Sequence, residues 1–257
     1  MAAEPAPAQS GVYVYGIFPA DIELAGEQSG VGDPPGALRL VRGGDLAALV
    51  SEVDLAGPLG TPDDLRAHQE ILDRSAAVLP VLPLRFGAVL ASDDAVASEL
   101  LEAHREEFAT ALGALEGRAE YLAKGRYDQD AILAEVLAAS PEADRLRAEI
   151  RDADPAASRD ARIALGELVS RAIMARREAD TQVLTDRMAG LGAASVNRDP
   201  THDLDAVHVA FLLDKDQAVD LDEVIADLAG QWDGRVELRV LGPMAAYDFV
   251  STAAAGG

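Results

Sequence analysis

The stretch Leu79–Leu90, LPVLPLRFGAVL, constrains the fold more than any other in this chain. Counted in twos, Leu82, Leu84, Phe86, Ala88 and Leu90 share one face, and Val81, Pro83, Arg85, Gly87 and Val89 share the other. An acidic helical pattern precedes the run and Ser92-Asp93-Asp94 follows it, so the alternation predicts a strand near the middle of a sheet. Pro80 and Pro83 lack the amide proton that a ladder needs, which places the first half of this strand at an edge, a bulge or an entry. Arg85 projects away from the main apolar set, beside Gly87. A guanidinium in that position needs carboxylate or carbonyl partners if buried, and a partner protein if not.

Upstream, Val12–Phe18 is apolar on both faces and predicts a central strand. Ala37–Arg42 and Leu46–Val53 predict two more strands around a Gly43-Gly44 turn. Thr61-Pro62-Asp63-Asp64 is a helix start, with a threonine cap, proline at the first position and acids against the dipole. The helix runs to about Leu79 with Leu65, His68, Leu72, Ala76 and Leu79 on one face. His68 therefore sits on an apolar stripe, where a hydrogen-bonded core histidine is expected. Ser92 caps a further helix whose buried side is Val96, Leu100, His104, Phe108, Leu112 and Leu115. Gly117 closes this first unit.

The second half reads as a strand at Glu120–Lys124, helices over 130–139 and 143–153, and a long helix from Asp154-Pro155 to about Leu191. The long helix faces inward with Leu165, Leu168, Ala172, Ala179 and Val183. Strands at Ala194–Arg198 and Ala206–Leu213, a helix at Leu221–Gln231 and a strand at Arg235–Leu241 complete it. The order is β-α-β-β-α-β, the ferredoxin-like order, with a helical insertion before the first long helix. Arg235, Glu237, Arg239 and His208 are expected on the sheet face away from the helices. The predicted fold is thus α+β in two domains. Residues 11–117 form a mixed sheet with two helices and 118–251 a ferredoxin-like domain, between disordered tails at 1–10 and 252–257.

Chemical signatures are scarce. The chain has no cysteine, which excludes disulfides and thiolate chemistry. His68, His104, His202 and His208 match no metal spacing. The acidic run from Asp214 to Glu223 departs from a calcium loop at Ala218, Val219 and Ile225, so acids in a helix's first turn explain it. No catalytic residue, metal site or cofactor site is nominated. The net charge of −23 disfavours nucleic acid and anionic lipid as partners. No apolar run approaches the roughly 20 residues of a membrane span. MAAEPAPAQSG lacks the features of a secretory signal, and a cytoplasmic location is expected.

Three segments carry a resemblance. PVLPLRFG with His68 upstream, the amino-terminal VYVYGI (Val12–Ile17) and the carboxy-terminal Gly242-Pro243…Tyr247-x-Phe249-Val250 are together similar to the gas vesicle protein GvpL/GvpF family, over about residues 11–251. Met244-Ala245-Ala246 stands where the family has Trp and prolines after Gly-Pro. The resemblance implies an accessory protein of gas vesicle assembly that associates with the small hydrophobic shell protein and with other accessory proteins, without catalysis. It singles out Arg85, His68, Phe86 and Tyr247 as structural or partner-contact residues. The rival reading is a ligand-gated small-molecule-binding module or enzyme on the ferredoxin-like scaffold.

Overall fold

In the computed structural model, which describes residues 10–24, 29–151, 153–154 and 157–250, the first unit is built around β1 (Ser10–Pro19). Every residue from Gly11 to Phe18 is buried, as an apolar strand with two covered faces requires. On one side β1 pairs antiparallel with β3 (Leu46–Asp54), which in turn pairs with β2 (Arg39–Gly43). On its other side β1 meets two fragments, β4 (Leu82–Pro83) and β5 (Val89–Leu90). The predicted tails at 1–10 and 252–257 lie outside the described residues except for Ser10.

Those fragments correct the single strand expected over Leu82–Leu90. Tyr13 pairs with Val89 and Gly16 with Pro83, so Val14 and Tyr15 of β1 face the whole of Leu84–Ala88. Amides at both ends still bond to β1: Leu84 N–H donates to the Tyr15 carbonyl and Val14 N–H to the Ala88 carbonyl, each at 2.9 Å. Between them the chain leaves the ladder. Pro83 cannot donate, and Gly87 adopts φ +95°, a left-handed conformation that glycine takes without steric cost. The result is a loop on the sheet edge, with Leu84 inside and Arg85 outside.

α1 (Pro62–Val78) starts as predicted, with a reciprocal capping box between Thr61 and Asp64. Its buried residues are Asp64, His68, Ile71, Leu72 and Ala76, while Leu65 is 48% exposed. His68, Leu72 and Ala76 are buried as expected, and at the first turn Asp64 takes the place of Leu65 because four donors meet it there, described below. The Ser92-capped helix is not continuous. α2 (Asp93–Ala95) passes into a π-helical segment, Val96–Glu102, and α3 (Arg105–Leu115) follows. Five-residue spacing puts Leu101 below Val96, so Leu101 is buried where Leu100 was expected. Beyond that segment Phe108, Leu112 and Leu115 are buried in the predicted phase.

The second unit contains β6 (Arg118–Tyr127), α4 (Gln129–Ala138), α5 (Pro141–Arg151), α6 (Arg159–Ala189), β7 (Ala194–Asn197), β8 (Asp205–Asp214), α7 (Ala218–Gln231) and β9 (Val236–Met244). The sheet order β7-β8-β6-β9 is the one the ferredoxin-like connection demands, with α4 and α5 as the insertion. The expected start of α6 at Asp154-Pro155 falls partly outside the described residues, and the helix itself begins at Arg159. Its inner face is Ala161, Leu168, Asp180, Leu184 and Met188, whereas Val183 is exposed.

Asp180 explains that rotation. Its carboxylate accepts two hydrogen bonds from the Arg235 guanidinium, at 2.6 and 2.9 Å, and a third from the Tyr127 hydroxyl at 2.7 Å. Arg235 also lies over the rings of Tyr127 and Trp232. The expectation that Arg235 faces away from the helices is therefore corrected. It precedes β9, after Gly234, and the alternation of the strand does not bind it. Chain order groups residues 118–251, but packing places residues 242–250 with the first unit.

Candidate functional site

The first unit encloses a polar cluster inside its aromatic core, centred on His68. The imidazole is 4% exposed. Its Nδ1 lies 2.8 Å from the Tyr13 hydroxyl, and its Nε2 lies 3.2 Å from the Leu84 carbonyl and 3.0 Å from the Tyr247 hydroxyl. Gly87 N–H donates to the Tyr13 hydroxyl at 3.3 Å. The rings of Tyr13, Tyr15 and Phe86 surround the imidazole at centroid distances of 5.5 to 5.7 Å.

The partners determine the tautomer. A carbonyl only accepts, so Nε2 carries the proton and donates to Leu84. Nδ1 then accepts from Tyr13, whose oxygen accepts in turn from Gly87 N–H. Burial holds the imidazole at a pKa of about 4, well below its ordinary value, with the Leu84 carbonyl working against that shift. His68 is thus neutral near pH 7. Burial likewise raises the phenols of Tyr13 and Tyr247, so both remain protonated.

A second layer fixes the first. The Tyr15 hydroxyl accepts from Val31 N–H at 2.7 Å and is hydrogen-bonded to Ser51 Oγ at 2.9 Å. Asp64 gathers the amides of Gly32, Gly60 and Thr61 and the Thr61 hydroxyl. Burial pushes its carboxyl up, but these donors outweigh burial and hold it below the usual carboxylate range. Asp73, five residues past His68 on α1, accepts from Ala245 N–H at 3.0 Å and anchors the segment that carries Tyr247.

Of the four residues singled out in the sequence, His68, Phe86 and Tyr247 meet in this cluster. Arg85 does not: it is exposed, and no hydrogen bond or ion pair joins it to the described residues. Tyr13, Tyr15 and Asp64 escaped nomination. The T-x-x-D capping pattern was the available signal for Asp64, whereas nothing local ties Tyr13 to His68, 55 residues away. The remaining histidines lie elsewhere. His104 is half-exposed beside Glu107, His202 accepts from Leu204 N–H, and His208 bonds the Asp199 carbonyl. Among the described residues no group of three His, Asp or Glu side chains is placed to hold a metal ion.

Residues 11–251 match the model of the family described as gas vesicle synthesis protein GvpL/GvpF. The chain belongs to the GvpL/GvpF family. It is 35% identical to gas vesicle protein F of Streptomyces sp. (strain CB03234) over 246 residues, covering 93% of this chain and 98% of the relative. Identity to gas vesicle protein F of Nostoc sp. is 25% over 242 residues, covering 93% and 98%. The crystal structure of GvpF from Anabaena sp. PCC7120 superposes with a TM-score of 0.81 at 24% identity, covering 94% of this chain and 98% of that one. That of GvpF from Microcystis aeruginosa gives 0.76 at 22% identity, covering 94% and 99%. The three segments that carried the GvpL/GvpF resemblance converge on one place. VYVYGI supplies Tyr13 and Tyr15, PVLPLRFG supplies Leu84, Phe86 and Gly87, and the last segment supplies Tyr247.

Among the described residues no helix is long and apolar enough to cross a membrane. The His68 cluster holds its acid–base groups in internal hydrogen bonds. Both imidazole nitrogens are engaged inside the protein, and burial suppresses the charged form. Its geometry is that of a structural lock.

Proposed function

We propose that this protein binds the small hydrophobic shell protein during gas vesicle assembly, as a chaperone-like carrier or a minor structural component, without catalysis. The match along residues 11–251 to a family of gas vesicle proteins carries this reading. Physical chemistry makes it coherent. A carrier with net charge −23 repels its own copies and keeps an aggregation-prone subunit dispersed while apolar surface holds it. The protein then acts in the cytoplasm at the growing vesicle, together with other accessory proteins. The test is co-purification of the full chain with a gas vesicle shell protein, against an unrelated protein of similar charge. Selective recovery supports the reading, and equal recovery of both overturns it.

A further inference from the structure

The first unit leaves open a cleft of about 420 Å3, enough for one long side chain and part of the segment that bears it. Its floor is apolar: Ile22, Leu46 and Leu112 are buried there. Its rim is acidic. Asp45 is already paired with Arg105 at 2.7 Å, but Asp21 and Glu116 are exposed, and their carboxylates have no partner among the described residues. α3 contributes Gly113 to the lining, where an added Cβ would meet nothing within 4 Å. A helical glycine stabilises less than alanine, and here it leaves open space beside the cleft.

We propose that this cleft binds an arginine or lysine side chain carried on an apolar segment of a partner protein. The methylene stem lies on the floor while the cation reaches Asp21 and Glu116 at the rim. The charge of −23 draws a cationic segment toward the protein. A segment with a carboxylate at the same place meets two like charges and is rejected. This concerns the chemistry of the bound segment, not the identity of the protein that carries it, so it stands apart from the shell-protein reading.

Fluorescence anisotropy with the full chain tests it. The probe is a dye-labelled helical peptide of alanine and leucine with one central arginine, compared with the same peptide bearing glutamate. The arginine peptide is expected to bind at least about tenfold more tightly, and more weakly as salt rises. Gly113→Leu fills the cleft from a position with room for it, so the melting temperature holds or rises while affinity falls about tenfold. Asp21→Asn with Glu116→Gln, two surface changes, weakens binding and flattens the salt dependence. Failure of the arginine peptide to bind, equal affinity for both peptides, or unchanged affinity in these variants overturns the proposal, whatever shell-protein co-purification shows.

Discussion

The Tyr13 hydroxyl donates to Nδ1 of His68 across 2.8 Å, and the same oxygen accepts from Gly87 N–H. One atom thereby joins the central strand, the first long helix and the edge loop. Tyr13→Phe keeps the ring packing but strands a buried imidazole nitrogen and weakens the hold on the loop. A loss of about 1–3 kcal/mol is expected. Urea unfolding measures it, and a stability equal to the parent's would remove the hydrogen bond from the account.

The neutrality of His68 makes stability fall with acid. The folded pKa of about 4 lies below the ordinary value of 6.5. Between those pH values the unfolded chain takes up a proton that the folded chain refuses, so this contribution is complete above pH 6.5 and is lost as pH falls toward 4. The loss is on the order of 3 kcal/mol at pH 4. His68→Gln removes this component, so the difference in unfolding free energy between parent and variant should shrink from pH 7 to pH 4. A constant difference would contradict the assignment.

Asp180 and Arg235 form the corresponding lock in the second unit. Asp180→Ala leaves the guanidinium and the Tyr127 hydroxyl without their shared acceptor and should cost about 3–5 kcal/mol. Pairing it with Arg235→Met should recover part of that loss, because it removes a half-buried guanidinium left with only Glu135, at 4.0 Å, as its charged partner. A double-mutant cycle on thermal or urea unfolding checks both. Additive losses would show that the two residues act separately.

Arg85 behaves in the opposite way. With its guanidinium in solvent, Arg85→Ala should change stability by no more than about 0.5 kcal/mol. We expect the melting curve to match the parent's while recovery of the shell protein drops. A large destabilisation would instead mean that the guanidinium pairs with a buried carboxylate or carbonyl within the protein.

The π-helical segment is checked by a pair of truncations. Leu101→Ala opens a cavity in the core and should cost about 2–5 kcal/mol. Leu100→Ala, at a partly exposed position, should cost much less. Comparable losses at both positions would mean that the helix keeps an ordinary α phase.

Much of this architecture is legible in the sequence because periodicity reports burial. The two-sided apolar run of β1, the cap at Thr61, the alternation of β8 and β9 and the β-α-β-β-α-β order each have a local physical cause. The misread positions share another property. Leu84–Ala88 continues the alternation of a strand, but hydrogen bonds decide the path there, through Pro83 and Gly87. Asp64 and Asp180 occupy inward positions that an apolar template assigns to neighbours, since pairing rather than hydrophobicity carries them inside. The gap left by Asp180 is visible only afterwards, four and eight residues before the buried Leu184 and Met188. His68 was visible on its stripe. Its bond to Tyr247 spans 179 residues and has no periodic trace.

That last bond sets the order in which the protein is completed. The ring of contacts around His68 closes only when Ala245 and Tyr247 arrive, after the whole of the second unit has been synthesised. A chain cut short anywhere before Tyr247 lacks the hydroxyl that meets His68 Nε2. The core that holds His68 thus gains its full set of contacts only when a residue 179 positions further along the chain is in place.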